Sequence, residues 1–451
     1  ALLNGTLAHS LDFDDTHAEA SLHSSAPILA AALAAAEMNQ SSGQALIAAC
    51  VVGYEVQIRL GLAGGSSTHY KKGFHPSATC GVFGAAAAAG YLIGLDKDQY
   101  ISAFGIALSQ SAGSMQFLTD GAWTKRSHVG QAAQNGLSCA IMAGEGFKGP
   151  SQAFEGQWGY FHSYASGGNM DKAVDGLGKK FETLNLGVKP YPSCRYSHAA
   201  IDGIIELKKE LGFSADDLDD VDIGLSETAL NIIGYPLRDK QNPKSVVDGQ
   251  FSMPFCAAVA VQSGGLKWDD YKNHLSNKDT LSLCSKIKVN PDMDAEECCP
   301  EYMSAKVKIV VKGKKHEKFI KIPKGEPENF MDDSEFISKF RSLTEPYLSN
   351  MRIDELTNLM LKIDQSNNIN SIFEFLTSFP FNFVNNNFCI ITTEIIGMNK
   401  EEFNKYENEK NLTKKNFQIK DDKVFSVDKL EKKNFVEVLK KKNATKIKFP
   451  K

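Results

Sequence analysis

The first 184 residues are rich in alanine and glycine, and this feature limits what the chain can fold into. Runs such as SAPILAAALAAAEM (25–38) and SATCGVFGAAAAAGYLIGL (77–95) consist mainly of small and apolar residues. Because small side chains let helix backbones approach closely, these runs predict tightly packed helices that are buried on several faces. They are too short, and too polar at their ends, to predict a membrane span.

Composition and charge exclude several classes of protein. The chain has 451 residues, of which 42% are hydrophobic and 23% are charged, as expected for a globular protein and not for a disordered one. Lys and Arg number 50 against 54 Asp and Glu, a formal net charge of -4. This balance argues against a nucleic-acid partner held by bulk charge.

The cysteines and the start of the chain bear on its cellular location. The nine cysteines are scattered and form no C-x-x-C pair, which favours reduced thiols in a cytoplasm over a disulfide framework or a zinc ribbon. No secretory signal is visible at the start. The chain begins with Ala1, so we interpret it as a fragment, a processed form or a trimmed chain.

Shifts in composition predict four segments. Residues 1–184 predict packed helices, 185–330 an α+β domain, and 331–379 a return to helical patterns. Residues 380–451 are rich in Lys and Asn, hold a single glycine, and form a C-terminal extension of unknown role. The predicted fold class is therefore mainly α, with an α+β second domain.

Local patterns predict individual elements. Ser77 and Ser127 are expected to cap the helices that follow them, and the second helix is expected to end near Gly146. Alternating apolar residues on both sides of 313–315 predict a hairpin. Other elements are expected as a strand over 221–228 and helices over 198–212, 333–348 and 353–364.

The segment LAHSLDFDDTHAEASLH (7–23) carries the densest group of ionisable residues. Asp12, Asp14 and Asp15 repel one another, so a metal, a cationic partner or helix N-terminal amides must offset their charge. A solvated turn is the alternative. Asp12 to Thr16 also fit D-x-D-x-T, the nucleophile motif of haloacid-dehalogenase-type phosphatases, but that motif requires a preceding buried strand, and the residues before Asp12 have helix-like spacing.

Three further clusters combine cations and histidines inside apolar surroundings. His75 lies in HYKKGFHPSATCG (69–81), and Lys125 precedes the helix predicted to begin at Ser127. GVKPYPSCRYSHAAID (187–202) contains Lys189, Tyr191 and Arg195 near a predicted domain boundary, where active sites are common. Each also has an ordinary structural interpretation, as a capping loop or a solvated face. No G-x-G-x-x-G or Walker A motif and no ordered set of metal ligands is present, so we expect neither a cofactor nor a metal.

These clusters resemble one family. The chain is similar to the MmgE/PrpD family, which is named for 2-methylcitrate dehydratase and also includes cis-aconitate decarboxylase and iminodisuccinate epimerase. The resemblance covers residues 1–379 and is carried by ALLNGTLAHSLDFDDTH, GFHPSATCGVFGAAAAAG, DGAWTKRSHVGQAAQNGL, KPYPSCRYSHAAID and VVDGQFSMPFCAAVAV. It implies a helical domain built from both chain ends, an α+β lid domain, a homodimer, and cofactor-independent chemistry on small di- or tricarboxylates.

The resemblance also implies roles for individual residues. The family's active-site positions fall on Asp12, Thr16, His23, His75, Lys125 and Lys189. We expect His23, Asp12, Lys125 and His75 to be catalytic, with His23 as the general acid or base. We expect Thr16, Lys189, Tyr191 and Arg195 to bind the substrate.

Three departures from the family pattern matter. A tyrosine of the cis-aconitate decarboxylases falls on Phe255, which puts that decarboxylation in doubt. The spacing from Thr16 to His23 is one residue longer than usual, which makes His17 a substitute for His23. A helical segment that normally precedes the first motif is missing. The sequence predicts a 2-methylcitrate dehydratase-like lyase in the cytoplasm, without nucleic-acid or membrane partners. The alternatives are a cis-aconitate decarboxylase-like or iminodisuccinate epimerase-like enzyme, or a non-catalytic fragment.

Overall fold

The computed structural model describes residues 1–119 and 121–377. The chain forms two compact units. The first comprises Ala1–Leu343 and Asp354–Ile369 and holds all the residues discussed below as a functional site. The second comprises Thr344–Ile353 and the segment that begins at Asn370, where the Arg352 guanidinium lies over the Phe375 ring. The expected extension 380–451 lies outside the described residues, and the four-segment division stays a prediction.

Helices make up most of the described chain, which confirms the mainly α fold class. In chain order they are α1 Leu2–Ala8, α2 Ser25–Met38, α3 Gly43–Gly64, α4 Ser66–Lys71, α5 Pro76–Thr79, α6 Gly81–Ile93, α7 Lys97–Leu108, α8 Thr124–Gly144, α9 Tyr160–Ala165, α10 Met170–Val174, α11 His198–Leu211, α12 Glu227–Ala229, α13 Leu237–Lys240, α14 Val246–Gln250, α15 Met253–Ser263, α16 Trp268–His274, α17 Lys278–Lys286, α18 Met293–Glu297, α19 Asp333–Thr344, α20 Asn350–Leu361 and α21 Asn370–Thr377. Short 3₁₀ turns occur at Met115–Thr119, Glu182–Asn185, Arg195–Ser197, Ala215–Asp217, Pro327–Asn329 and Ile363–Gln365, and a π turn at Leu230–Gly234.

Six strands form two sheets in the described residues. They are β1 Asp15–His17, β2 Leu186–Val188, β3 Leu218–Leu225, β4 Ile287–Pro291, β5 Ala305–Val311 and β6 Lys314–Ile320. β1 and β2 pair antiparallel, and the larger sheet has the order β4-β3-β5-β6. Within it β3 and β4 run parallel while the other two pairs are antiparallel. The buried helix α15 and the amphipathic helix α11 share a core with this sheet, which confirms the α+β part of the fold.

Small residues do allow close helix contacts in the N-terminal part. A Cβ atom on Gly84 of α6 would lie 2.6 Å from the Gly53 carbonyl oxygen of α3. A Cβ atom on Gly5 of α1 would lie 2.8 Å from Gly130 Cα of α8. Any larger residue would force these helices apart, so glycine sets the distance between α1 and α8. That distance matters because the residues after α1 and the first turn of α8 both reach the functional site.

Several local expectations need correction. Helix α8 begins at Thr124, so Lys125 lies in its first turn, and Ser127 bonds the Thr124 carbonyl inside the helix instead of capping it. Ser77 accepts a hydrogen bond from the His23 amide, and His75 occupies the N-cap position before α5. The hairpin turn is the residue pair Lys312 and Gly313, both at positive φ, one position earlier than expected. Two positive φ values suit the right-handed twist of a tight hairpin.

Two helical stretches have the length and apolar composition of a membrane span. They are Gly43–Gly64 and Pro76–Ile93, and 56% and 83% of their most apolar windows is buried inside the protein. Core helices pass the same test, so burial accounts for their composition. The absence of a membrane partner stays a prediction.

Candidate active site

A short antiparallel ladder brings two distant segments of the chain together. Asp15 of β1 pairs with Val188 of β2, and the Lys189 amide then donates to the Asp14 carbonyl at 3.1 Å. Asp12 precedes this ladder at φ 51°, a left-handed conformation that Asp tolerates better than most residues. The turn places the Lys189 ammonium 3.1 Å from the Asp12 carbonyl oxygen and 3.2 Å from its carboxylate oxygen Oδ2.

Lys125 reaches the same carboxylate from α8. Its ammonium donates to Asp12 Oδ1, so one carboxylate is held between two lysines on different elements. All three residues are at most 8% exposed. Among the described residues, the Lys125 ammonium forms a hydrogen bond only with Asp12. An ammonium has three N–H donors. Lys125 therefore keeps donors for an anionic ligand.

The three neighbouring carboxylates are each held by different partners. Asp14 accepts from His9 Nδ1 at 2.6 Å, and Asp15 accepts from the Ser25 amide at the start of α2, at 2.9 Å and 3.0 Å to its two oxygens. Together with the lysines on Asp12, these contacts offset the repulsion among the three charges. The sequence predicts that cations or helix N-terminal amides offset this repulsion, and both kinds of partner are present.

His23 lies beside these carboxylates, and its position is fixed through both backbone and ring. Its amide donates to Ser77 Oγ at 3.0 Å, and its carbonyl accepts from the Gln57 side chain at 2.9 Å. Its ring Nδ1 lies 2.7 Å from the Asp15 carbonyl oxygen and 3.3 Å from Thr16 Oγ1. A carbonyl oxygen can only accept, so Nδ1 carries the proton and Nε2 has an unprotonated lone pair.

His17, the suggested substitute, has a different environment. Its Nδ1 accepts from the Ala20 amide at 3.2 Å, and its Nε2 lies 3.6 Å from the Glu182 carboxylate. Both of its nitrogens face protein groups, and it does not line the cavity described below. The structure therefore places His23, and not His17, where a ligand can reach it.

Two further histidines, His9 and His128, lie close to His23 and His75. Neither is among the site residues predicted from the sequence. His9, at the C-terminal end of α1, lies with its ring centroid 4.7 Å from that of His23 and 5.9 Å from that of His75. His128 of α8 places its Nδ1 3.4 Å from His75 Nδ1. The signal that predicts His9 is its place in the segment 7–23, three residues before Asp12. We refer to Asp12, Asp14, Lys125, Lys189 and His9 as the Asp12 cluster.

Arg195 belongs to a separate buried ion-pair group. Its Nε donates to Glu326 at 2.7 Å, and its NH1 contacts His198 Nδ1 at 2.8 Å and the Lys324 carbonyl at 2.9 Å. Arg195, Glu326 and His198 are at most 3% exposed, and we call them the Arg195 cluster. The nearby Tyr191 hydroxyl donates to Asp202 at 2.7 Å and does not line the cavity.

A cavity of about 470 Å³, including its opening to solvent, gathers most of the expected site residues. Of the eight, the seven that line it are Asp12, Thr16, His23, His75, Lys125, Lys189 and Arg195. The rest of the lining is mostly apolar or aromatic, and it contains Tyr70, Met115, Phe117, Tyr196, Ile232, Phe251 and Met303. The cavity thus combines fixed cations and imidazoles with a water-poor wall. The catalytic and binding roles of these residues stay proposals.

Phe255 lies outside this cavity. It is fully buried, and its ring stacks on Tyr271 with centroids 5.8 Å apart. The Tyr271 hydroxyl donates to the Pro192 carbonyl at 2.9 Å. Two tyrosines, Tyr70 and Tyr196, line the cavity instead. The lack of a hydroxyl at residue 255 therefore removes no polar group from the cavity of this structure.

Burial and neighbouring charges set the protonation states in the cavity. Burial opposes ionisation of Asp12, but Lys125 and Lys189 outweigh it and hold the pKa of this carboxyl well below its usual range. Burial lowers the pKa of His23 well below its usual value, although the Asp14 carboxylate opposes this. Burial, followed by Lys125, does the same to the pKa of His75. The cavity thus presents an ionised Asp12 and neutral imidazoles near pH 7.

The structure does not fit the phosphatase interpretation of D-x-D-x-T. The segment before Asp12 is helix α1 and a turn, whereas that motif must follow a buried strand. Asp12 is also covered by two lysines. Two groups of side chains among the described residues have the spacing to hold a metal ion: His9, His23 and His75, and His9, Asp12 and Asp14.

Lys339 also helps to hold the site together, and it is not among the residues predicted from the sequence. Its ammonium donates to the carbonyls of Phe13 and Lys189 at 2.7 Å and 2.8 Å, and lies 4.0 Å from the Phe13 ring centroid. Burial lowers its pKa to about 8. It joins α19 to the backbone of Phe13, next to Asp12, and to the backbone of Lys189. No local pattern in the sequence distinguishes Lys339, because the residues of α19 have the pattern of an ordinary amphipathic helix.

Comparison with known proteins identifies the family. The MmgE/PrpD N-terminal domain matches residues 1–173, and the MmgE/PrpD C-terminal domain matches residues 191–364. The chain belongs to the MmgE/PrpD family. This confirms the resemblance inferred from the five motifs.

Curated relatives give the comparison more detail. The chain is 28% identical to the cis-aconitate decarboxylase-like protein oryM of Aspergillus oryzae, over 82% of this chain and 80% of that protein. It is 27% identical to the cis-aconitate decarboxylase of Aspergillus terreus, over 83% of this chain and 80% of that protein. The cis-aconitate decarboxylase of Homo sapiens is 27% identical over 64% of this chain and 60% of that protein. The family and these relatives support a lyase.

Proposed function

We propose that this chain is a lyase that removes carbon dioxide from a small unsaturated carboxylate of the cis-aconitate type. The observation that carries the proposal is one cavity that Lys125, Lys189 and His23 all line, where both lysines flank Asp12 and His23 is held through its Nδ1. The relatives favour decarboxylation over the dehydration expected first. Phe255 lies outside the cavity, so its lack of a hydroxyl group is not an argument against decarboxylation here.

Lys125 and Lys189 would bind the substrate carboxylates. Charge-assisted hydrogen bonds to a carboxylate are about twice as strong as neutral ones, and the apolar wall keeps water from competing for them. Lys125 is the main contact, because most of its donors are unused. Lys189 is held by Asp12 and its backbone carbonyl, so it acts mainly as a fixed positive charge.

His23 would supply the proton. In decarboxylation the bond to the departing carboxyl carbon breaks, and its electron pair stays on the carbon skeleton, which then takes a proton. His23 is neutral in the empty cavity, but the negative charge of a bound substrate favours its protonated form. Its fixed Nδ1–H keeps Nε2 directed to the ligand, and this is the atom that carries the transferred proton.

The same lysines would stabilise the reaction as it proceeds. Negative charge spreads over the remaining carboxylates as carbon dioxide leaves, and ammonium groups fixed before the reaction stabilise that charge without reorganising. Asp12 keeps both lysines charged and in place. We expect no cofactor, a homodimer and a cytoplasmic location, as the sequence predicts.

A substrate panel tests the proposal. The purified chain is incubated with cis-aconitate, 2-methylcitrate, citrate and iminodisuccinate, while released carbon dioxide is measured and products are identified by mass spectrometry and NMR. We expect carbon dioxide and a product lighter by its mass from cis-aconitate. Loss of water from 2-methylcitrate, without carbon dioxide, would contradict decarboxylation.

Dehydration is the second candidate. The relevant observation is that apolar and aromatic side chains make up much of the cavity lining, and the methyl group of 2-methylcitrate suits such a surface. Removal of water needs the same carboxylate contacts, but the proton moves in the opposite direction, from the substrate carbon to His23, and the hydroxyl group leaves as water. The panel above separates the two reactions, because only one of them releases carbon dioxide.

A further inference from the structure

Three imidazoles inside the cavity share a feature that proton transfer at His23 does not require. His9, His23 and His75 each offer a ring nitrogen, and the three nitrogens lie within 4.8 Å of one another. His9 and His23 lie in the segment 7–23 and His75 lies in 69–81, so the group forms only when these two segments meet in the folded chain. The proposed mechanism uses only one of them for chemistry.

In each ring the Nδ1 nitrogen already has a partner. His9 Nδ1 meets Asp14 at 2.6 Å, and His23 Nδ1 meets the Asp15 carbonyl at 2.7 Å. His75 Nδ1 lies 3.4 Å from His128 Nδ1. These contacts leave Nε2 as the available atom of all three rings. His9 Nε2 is buried and has no hydrogen-bond partner, which costs free energy unless a ligand meets it.

This pattern is how proteins prepare histidine ligands for metals. A ligating imidazole usually donates its other N–H to a carboxylate or a backbone carbonyl, which fixes the ring and raises its basicity. Asp14 supplies the carboxylate for His9, and the Asp15 carbonyl supplies the acceptor for His23. Neutral imidazoles also bind metal without first losing a proton.

The surrounding charge does not oppose a cation. Asp12 and Asp14 balance Lys125 and Lys189 in number, and Asp14 lies on the side of the histidines. A tetrahedral ion bound at 2.0–2.1 Å brings its nitrogen ligands to about 3.3 Å from one another. Because one ring nitrogen of each histidine already lies within 4.8 Å of the others, rotation about side-chain bonds is the movement that would bring the three Nε2 atoms to this spacing.

We propose that His9, His23 and His75 bind a divalent ion of the zinc, cobalt or nickel class through their Nε2 atoms, and that this ion inhibits the enzyme. Three imidazoles with one open position suit these metals. Inhibition follows because the ion occupies the nitrogen of His23 that transfers the proton. The inhibitory part rests on the proposed function, whereas metal uptake by the site does not.

Cobalt binding tests uptake without any assay of activity. The chelator-treated, dialysed chain is titrated with Co²⁺ while visible absorbance is recorded, and zinc affinity is measured by calorimetry. We expect one ion per chain and the intense visible bands of tetrahedral cobalt. His9→Asn keeps a donor for Asp14 but lacks Nε2, and we expect it to lose the bands. Asp14→Asn should weaken binding about 10- to 100-fold, and the matched control His316→Asn on β6 should bind as the parent does.

The cavity thiol Cys194 is the main competing ligand, and the test separates it from the histidines. A cobalt–thiolate contact adds a near-ultraviolet charge-transfer band, which we expect to be absent, and Cys194→Ala should bind metal unchanged. Equal cobalt binding by His9→Asn and the parent, or loss of binding in Cys194→Ala, would overturn the site. Zinc that binds and raises turnover would overturn the inhibition, and an inactive chain that still binds cobalt would refute the proposed function alone.

Discussion

The Asp12 cluster and the Arg195 cluster are both buried and both charged, and Lys189 of the first is close in sequence to Arg195 of the second. They differ in how completely their polar atoms are paired. The Arg195 guanidinium contacts Glu326, His198 and the Lys324 carbonyl, and its NH2, the one buried atom of this cluster without a hydrogen bond in the described residues, still lies 2.6 Å from the Glu326 carboxylate. The Asp12 cluster leaves three buried atoms without a hydrogen bond: Asp12 Oδ2, Asp14 Oδ1 and His9 Nε2. The Arg195 cluster is therefore suited to stabilising the fold, and the Asp12 cluster to binding a ligand.

The difference shows why residue type alone does not identify a binding residue. Lys125 and Arg195 are both buried cations that line the cavity. Arg195 joins the segment before α11 to the loop that holds Lys324 and Glu326, and most of its donors are consumed there. Lys125 spends one donor on Asp12. The number of donors left over separates a ligand contact from an internal support.

The largest expected effect comes from His23→Asn. Asparagine keeps a donor for the Asp15 carbonyl but lacks Nε2, so the variant should fold while turnover falls about 10²–10⁴-fold, the usual contribution of a positioned acid or base. Since the lysines remain, the Michaelis constant should change little. Steady-state rates of carbon dioxide release measure both constants.

His17→Asn is the matched control for that loss. His17 is buried and contacts Glu182 and the Ala20 amide, outside the cavity. We expect the control to retain turnover and to unfold at a lower temperature. If His17→Asn loses turnover while His23→Asn keeps it, the proton donor has been assigned to the wrong histidine.

Lys125→Ala should have the next largest effect. The substitution removes the ammonium with the most unused donors and leaves Asp12 paired only with Lys189, so catalytic efficiency should fall about 10²–10³-fold, as for the loss of one electrostatic stabiliser. If the contact strengthens in the transition state, turnover falls as well as substrate affinity. Lys125→Arg should recover part of the loss, because a planar guanidinium places its donors differently.

Lys148→Ala serves as the control for Lys125. Lys148 lies on the exposed turn after α8, where a surface charge is worth about 0–1 kcal/mol. Kinetics of the three lysine variants on the accepted substrate decide the matter. Small and equal losses for the two alanine variants would show that Lys125 is not a substrate contact.

The sequence predicts the parts of this molecule that local patterns encode. Helices α2 and α11 match the expected ranges within a residue, and the hairpin between β5 and β6 is displaced by one position. The start of α8 was misplaced because Trp123 precedes it without a side-chain cap, whereas Ser127 has the chemistry of a cap. Caps satisfied in other ways leave no mark in the sequence.

The candidate site divides along similar lines. The residues that the family motifs mark lie around one cavity, but Lys339 and His128 enter through contacts between distant segments. Whether Arg195 spends its donors on Glu326 or on a ligand depends on a loop more than a hundred residues away. Such pairings are properties of the folded chain, and no spacing within a segment records them.

Arg195→Met should affect stability more than catalysis. It leaves Glu326 buried and unpaired, and breaking a buried ion pair on one side costs about 3–5 kcal/mol. We expect urea unfolding to show a loss of this size, while the folded fraction retains its Michaelis constant. The double variant Arg195→Met with Glu326→Gln should regain part of the stability. Full stability with a Michaelis constant raised about tenfold, a change of 1.4 kcal/mol, would instead make Arg195 a substrate contact.

The smallest expected effect belongs to Asp15. Its carboxylate accepts from the Ser25 amide at the start of α2, and it follows Asp14 in the chain. Burial raises the pKa of Asp15 to about 6, and the Asp14 carboxylate adds to the rise. Because this pKa is higher in the folded state than in the unfolded chain, the group stabilises the fold at low pH, and that contribution is lost as the pH rises through about 6. Above this pH the folded chain must carry a buried charge. Asp15→Asn cannot ionise and still accepts from the Ser25 amide, so it should be more stable than the parent at pH 8, by up to about 3 kcal/mol for a shift of two pKa units.

The measurement is the difference in unfolding free energy between variant and parent at pH 4.5 and pH 8. For Asp15→Asn this difference should favour the variant by about 1 kcal/mol at pH 4.5, where Asp15 of the unfolded chain is already largely ionised, and by up to about 3 kcal/mol at pH 8. Asp217→Asn is the control, because hydrogen bonds from Ser214 lower the pKa of Asp217 to about 2. Asp217 is thus ionised in both folded and unfolded chains at either pH, and its substitution should cost the same at both. A difference for Asp15→Asn that does not change with pH would show that Asp15 is already ionised at pH 4.5 and that the Ser25 amide outweighs its burial.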